Sequence, residues 1–218
     1  MDFTPDLAMR ITAYVVLLFS LSVHESAHGW MAYRMGDDTA MRQGRVSLNP
    51  LVHIDPVGTV LIPLLQIFGG ISWLLGWAKP TPVGAHNFRK LAQGHVLVAG
   101  AGPVSNMLLA LIFAAGLFVA VRMDVGLFAR PLTNLLITGI QMNVGLALFN
   151  LVPLPPLDGS WIVSWGLPRR IAQHYDRVME PWGQWILLVL FMTGVLRFLL
   201  SPIMVMIIRV LAAIIQPS

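Results

Sequence analysis

Cysteine is absent from the 218 residues, which excludes disulfides and thiolate ligands and leaves histidine and carboxylate groups to hold any metal. Charge is scarce too: 11% of residues are Asp, Glu, Lys or Arg, against roughly a quarter in an average soluble domain. The polar connections between apolar runs are too short to bury a core of their own, so no separate soluble domain is expected. What the chain has instead is apolar length. It is 56% hydrophobic, with several stretches near the roughly 20 residues that a hydrocarbon core of about 30 Å demands of a helix. The composition therefore predicts an all-α polytopic membrane protein, a single domain over 1–218 embedded in a lipid bilayer. The formal net charge of +4 reads as loop lysines and arginines that set orientation, and no nucleic-acid partner is expected.

The first apolar run, from about Leu7 to Tyr33, is interrupted only by Ser20, Ser22 and the cluster His24, Glu25, Ser26 and His28. Asp2, Asp6 and Arg10 stand at its start, and it continues into that polar cluster, so it is not expected to be a cleaved signal peptide. Ser22, Ser26, Ala27 and Gly29 suit close approach by a neighbouring helix. Arg34 to Pro56 is a turn-forming loop. Val57 to Ala78 is apolar but broken by Pro63 and Gly69-Gly70, and reads either as a span or as a re-entrant segment. After the basic, proline-marked stretch Lys79 to His95, clear spans follow at Val96 to Val121 and Leu132 to Val152. The latter ends in the helix-breaking run Pro153-Leu154-Pro155-Pro156-Leu157-Asp158-Gly159. The tail from Pro181 to Ile215 reads as two short antiparallel spans. About five to six transmembrane helices are expected, with a re-entrant or irregular β-like segment after the first. The core would cover about 7–165 and a C-terminal helical hairpin about 181–215.

Orientation can be read without any motif. Arg34, Arg42 and Arg45, then Lys79, Arg89 and Lys90, then Arg169, Arg170 and Arg177 mark three loops that should all be cytoplasmic. Val57 to Ala78 must then begin and end on one side, which favours re-entry. The ends of the first span and of Leu132 to Val152 share that face, and the ionisable residues sit at these two places.

His24-Glu25-Ser26-Ala27-His28 fits H-E-x-x-H. Residues four apart share one face of an α-helix, so both imidazoles can reach one Zn²⁺ at about 2.0 to 2.1 Å. Glu25 is then placed to act on the metal's water, taking a proton and passing it to a leaving amine. Ionisable residues at membrane depth cost about 2.5 to 3.5 kcal/mol each even on lenient scales, so three together call for a ligand rather than a chance pattern. With about 16 residues of span before His24 and about five after His28, the metal would lie roughly 8 to 10 Å inside the cytoplasmic boundary. A catalytic zinc needs a third protein ligand and an open position. Asp158 is the best-placed candidate, since the surrounding prolines would unwind the helix and turn its carboxylate inward. On spacing alone, Asp158-Gly159 reads equally as an interfacial turn.

Taken together, these residues resemble the site-2 protease family of intramembrane zinc metalloproteases, in a minimal form without appended soluble domains. One half of that family's signature is H-E-x-x-H inside a membrane helix. The other half, an N-x-x-P-x-x-P-L-D-G type segment, is matched by Asn150-Leu151-Val152-Pro153-Leu154-Pro155-Pro156-Leu157-Asp158-Gly159. Asn49-Pro50 through Gly58-Thr59, Gly76-Trp77-Ala78-Lys79-Pro80 and Gly102-Pro103 with Asn106 follow the family's order. The resemblance covers roughly Val23 to Gly159. It implies one Zn²⁺ per chain held by His24, His28 and Asp158, Glu25 as general base and acid, and Asn150 as a polar group near the site. It also implies hydrolysis of peptide bonds within or near the transmembrane segments of a membrane-protein substrate. The expected location is a prokaryotic inner membrane with the site toward the cytoplasm. An alternative is a zinc-binding membrane protein, or a pseudoprotease that captures membrane helices without cutting them.

The remaining polar residues are read more evenly. Asn150 could donate to an oxyanion or satisfy carbonyls freed by the prolines. Asn106 could support a ligand from behind or bond between helices beside a Gly-Pro kink. His53 reads as a structural hydrogen bond or a residue at the site entrance. His86, His95 and His174 are expected in basic loops, facing solvent or lipid. The tryptophans flank the spans as interfacial anchors.

Overall fold

The computed structural model describes residues 5–69, 76–123 and 126–215. Helix α1 (Pro5–Met35) leads into a short turn of helix α2 (Thr39–Arg42) and a π-helical turn at Pro56–Leu61 that runs into α3 (Ile62–Phe68). Then come α4 (Leu91–Arg122), α5 (Ala129–Asn150), α6 (Asp158–Gly166), α7 (Arg169–Met192) and α8 (Val195–Ile215). Among the described residues four stretches are helical, long and apolar enough to cross a membrane: Leu7–Met35, Leu91–Arg122, Gly126–Asn150 and Val195–Ala213.

Four differs from the five to six expected, for two physical reasons. Within the Val57 to Ala78 run no span is found among the described residues. Its helix α3 has seven residues, about 10 Å of rise, and positions 70–75 lie outside the described residues. Helix α7 is long enough, but Arg169, Arg170, Asp176, Arg177 and Glu180 charge its first half. The β-like segment also differs: among the described residues there is no strand, and 76–84 is extended chain without a ladder.

Helices α1 and α4 pack antiparallel. His28 meets Val98, His24 meets Asn106, and Ser20 meets Asn106 and Asn143, so one number falls as the other rises. Helix α5 lies against both. Its core with α4 and α8 is Ala110, Ala114, Ile140, Val144 and Leu211, mostly small or β-branched side chains that let helices approach where lipid supplies no hydrophobic drive. A second cluster, Leu17, Leu21 and Ala78, seats the extended segment against α1.

Just beyond α1, the buried Asp37 carboxylate accepts from the Thr39 N–H and hydroxyl, the Gly84 N–H at 2.7 Å and the Asn87 amide at 2.9 Å. Burial opposes ionisation, but these donors outweigh it and hold the carboxyl below its ordinary value. A carboxyl depressed by folding contributes stability that is present above its unfolded pKa and lost as pH falls through its folded one. The thermal midpoint in detergent should therefore fall on acidification below about pH 4. In Asp37→Asn, which cannot accept from all these donors, that acid-dependent part should shrink, and an unchanged slope would count against the anchor.

Candidate metal centre

The H-E-x-x-H turn lies in the last third of α1, with His24 and His28 both buried. Asp158 opens α6, after α5 ends at Asn150 and the proline-rich run 151–157 turns the chain back. Gly159 is required there because the Leu151 carbonyl occupies the space a Cβ would take. The result brings the three side chains together: their candidate ligand atoms all lie within 4.8 Å of one another. His24 Nε2 is 3.0 Å from His28 Nε2, while Asp158 Oδ2 is 3.2 Å from His24 Nε2 and Oδ1 is 3.4 Å from His28 Nε2.

The hydrogen-bond pattern behind this cluster follows from the backbone. The Gly139 carbonyl can only accept, so the Asn143 Nδ2 donates to it at 2.8 Å, and also to Ser20 Oγ at 2.9 Å. Asn143 Oδ1 must then be the acceptor for Asn106 Nδ2 at 2.9 Å, which leaves Asn106 Oδ1 to accept from His24 Nδ1 at 2.6 Å. His28 Nδ1 faces the Val98 carbonyl at 2.7 Å and donates as well. In the neutral imidazoles both Nε2 atoms therefore carry lone pairs, and these face each other and two carboxylate oxygens. Asp158 Oδ2 is buried at ion-pair distance from His24 Nε2 and has no hydrogen-bond partner among the described residues.

A cation resolves this arrangement. Tetrahedral zinc with bonds of about 2.0 to 2.1 Å places its ligand atoms roughly 3.3 Å apart, close to the spacings seen. Gly102 of α4 faces the two imidazoles without a side chain: a Cβ there would stand 2.5 Å from His24 Cε1 and His28 Nε2. The donor set of two neutral histidines and one carboxylate suits zinc with a fourth position open.

Glu25 is half-buried beside this cluster, its Oε2 accepting from the Thr81 N–H at 2.7 Å. Asn150 is not drawn into the cluster by any hydrogen bond, its amide donating to Leu146 O at 3.0 Å. Asn106 of α4 bonds to His24 and Ser20 of α1 and to Asn143 of α5, and so bridges three helices. Sequence reasoning missed the Val98 carbonyl and the role of Asn143, which was visible only as a polar residue inside an apolar span. His53 is buried against Ser47 O at 2.9 Å. His95 is a correction: it belongs to α4 rather than to a loop, and its ring stacks on Trp165 and Trp161 with centroids 4.1 and 5.5 Å away. Replacing Asn106 with leucine should weaken zinc binding about 10- to 100-fold in chelator competition, because His24 loses the acceptor that fixes its tautomer. Wild-type affinity in that variant would contradict the tautomer assignment.

Several known proteins are similar to this chain. The chain is 40% identical over 213 residues to the Bacillus subtilis protein named "Putative zinc metalloprotease YwhC", covering 93% of this chain and 92% of that one. It is 30% identical over 188 residues to Rip2 of Mycolicibacterium smegmatis, a name of the same form, and 32% identical over 188 residues to Rip2 of Mycobacterium tuberculosis. Each alignment covers 83% of this chain and 66% of the relative. No protein-family model and no solved structure matches.

Proposed function

The chain belongs to the zinc metalloprotease family of YwhC and Rip2, and from that premise we propose that it is an intramembrane protease of the site-2 type, cutting peptide bonds within or near transmembrane segments. The observation that supports the reading is the convergence of His24, His28 and Asp158, whose ligand-capable atoms lie within 4.8 Å of one another, inside apolar helices and beside Glu25. His24, His28 and Asp158 hold one zinc per chain. When bound, zinc supplies a Lewis acid that brings a water's pKa to about 7. Glu25 takes the proton as the water attacks the scissile carbonyl, then delivers it to the leaving nitrogen. Asn150 keeps a second amide N–H beyond its bond to Leu146 O, and that N–H is the donor for the developing oxyanion.

The substrate is a membrane-protein helix that unwinds locally, since an intact helix has its carbonyls bonded internally. Three basic loops support an orientation with the site toward the cytoplasm, and the bacterial relatives support a prokaryotic inner membrane as its location. With Arg45 before it and Lys79 after it, the stretch around α3 re-enters from that side.

Purified chain in proteoliposomes should cut a transmembrane substrate, lose the activity to a zinc chelator and regain it on zinc addition. Cleavage unaffected by metal removal, or confined to soluble peptides, would overturn the proposal.

A further inference from the structure

Residues 76–84 cross α1 beside the cluster as an extended strap, and both its ends are fastened. At one end the Lys79 N–H donates to His53 O at 2.9 Å, and the Arg45 guanidinium donates to the Val52, Lys79 and Pro80 carbonyls. At the other, the Gly84 N–H donates to Asp37 Oδ2 at 2.7 Å. Between the fastenings stands Pro80-Thr81-Pro82. Prolines have no N–H, and a residue before proline is held extended, so Thr81 carries the one backbone donor of the run in a preset conformation. That donor goes to Glu25 Oε2 at 2.7 Å, and the Thr81 hydroxyl donates to the Glu25 carbonyl at 2.9 Å.

Arg45 is 6% exposed and gives its fork to three carbonyls rather than to a carboxylate. A buried guanidinium is a costly group to spend on a loop, and its rigid planar geometry fixes the loop's position as a flexible ammonium would not. Among the described residues no hydrogen bond holds Glu25 Oε1, whereas Oε2 is anchored. From this geometry we infer that the strap is a positioning device for Glu25: the Thr81 N–H locks Oε2, Arg45 locks the strap, and Oε1 becomes the oxygen that handles the proton. Thr81 and Arg45 are positioning residues, and the inference rests on the reading of Glu25 as general base.

Turnover of a transmembrane substrate in proteoliposomes, resolved into kcat and KM and read beside zinc content, tests it. Thr81→Pro deletes the N–H and should lower kcat on the order of a hundredfold with KM and zinc content unchanged, the scale of effect expected from a misplaced reacting group. Thr81→Val keeps the N–H and loses only the hydroxyl, and should lower kcat about threefold. Arg45→Lys, which cannot span the three carbonyls, should lower it about tenfold. If Thr81→Pro fails to fold, Arg45→Lys decides the matter. A kcat within about threefold of wild type in the deciding variant overturns the strap's role, as does a loss that tracks zinc content. Glu25→Gln run alongside separates the two ideas: full activity there sinks the general base itself, while an inactive Glu25→Gln beside fully active strap variants sinks only the strap.

Discussion

Glu25→Gln is expected to retain zinc and to lose about 10²- to 10⁴-fold in kcat, the range that a positioned proton carrier contributes. The glutamine keeps the shape of the side chain and still offers an oxygen to the Thr81 N–H, so the strap and α1 need not move. It has no basic oxygen for a proton, and only that function is removed. KM should stay near the wild-type value because the side chain takes no part in holding the substrate helix. The comparison needs metal content measured on the same samples. A variant that turns over within about threefold of wild type while zinc-loaded would remove Glu25 from the mechanism and leave the cluster as a binding site only.

The parts legible in the sequence were those where side-chain type and spacing are the mechanism. His24, Glu25 and His28 stand out because a four-residue interval puts two imidazoles on one helical face, and few other reasons place them in an apolar span. Asp158 was legible as a candidate because prolines must end α5 just before it, yet spacing alone left it level with an ordinary turn. The turn 151–157 brings it to both imidazoles, while α4 carries Gly102, Asn106 and the Val98 carbonyl to the same two rings. A backbone carbonyl leaves no mark on residue identity, so Val98 had no signal to find. Asn143 had a weak one: a buried amide in a span must bond to something, but the partners at Ser20 and Asn106 are 123 and 37 residues away.

The four spans found among the described residues fall short of the expected count for a related reason. Hydropathy sees the apolar length of Val57 to Ala78 and of the 181–215 tail, but not whether a helix persists through Pro63 and Gly69 or where charges fall along α7. His95 was assigned to a loop because basic and proline residues precede it, whereas α4 begins four residues earlier, at Leu91. Its stack on Trp161 and Trp165 ties α4 to α6, the helix that begins with Asp158.

One methyl group should disable the centre from the opposite helix. Gly102→Ala is expected to weaken zinc binding about 10- to 100-fold, taking the 1–3 kcal/mol usual for overpacking at about 1.4 kcal/mol per factor of ten. An added Cβ would stand 2.5 Å from His24 Cε1, 2.5 Å from His28 Nε2 and 2.6 Å from His24 Nε2. In most cores such a clash is shared among flexible neighbours. Here the atoms that must yield are the two imidazoles, and neither ring can swing away without breaking its Nδ1 bond to Asn106 or to the Val98 carbonyl. Moving α4 outward instead carries both of those acceptors with it, because all three positions lie within nine consecutive residues, 98–106, of one helix. The strain therefore falls on metal affinity whichever element moves. Chelator competition and metal content on purified protein read it directly, and Gly100→Ala, whose added Cβ meets nothing within 4 Å, controls for loss of flexibility in α4. Equal affinity in Gly102→Ala and Gly100→Ala would mean that the imidazoles are not confined against α4.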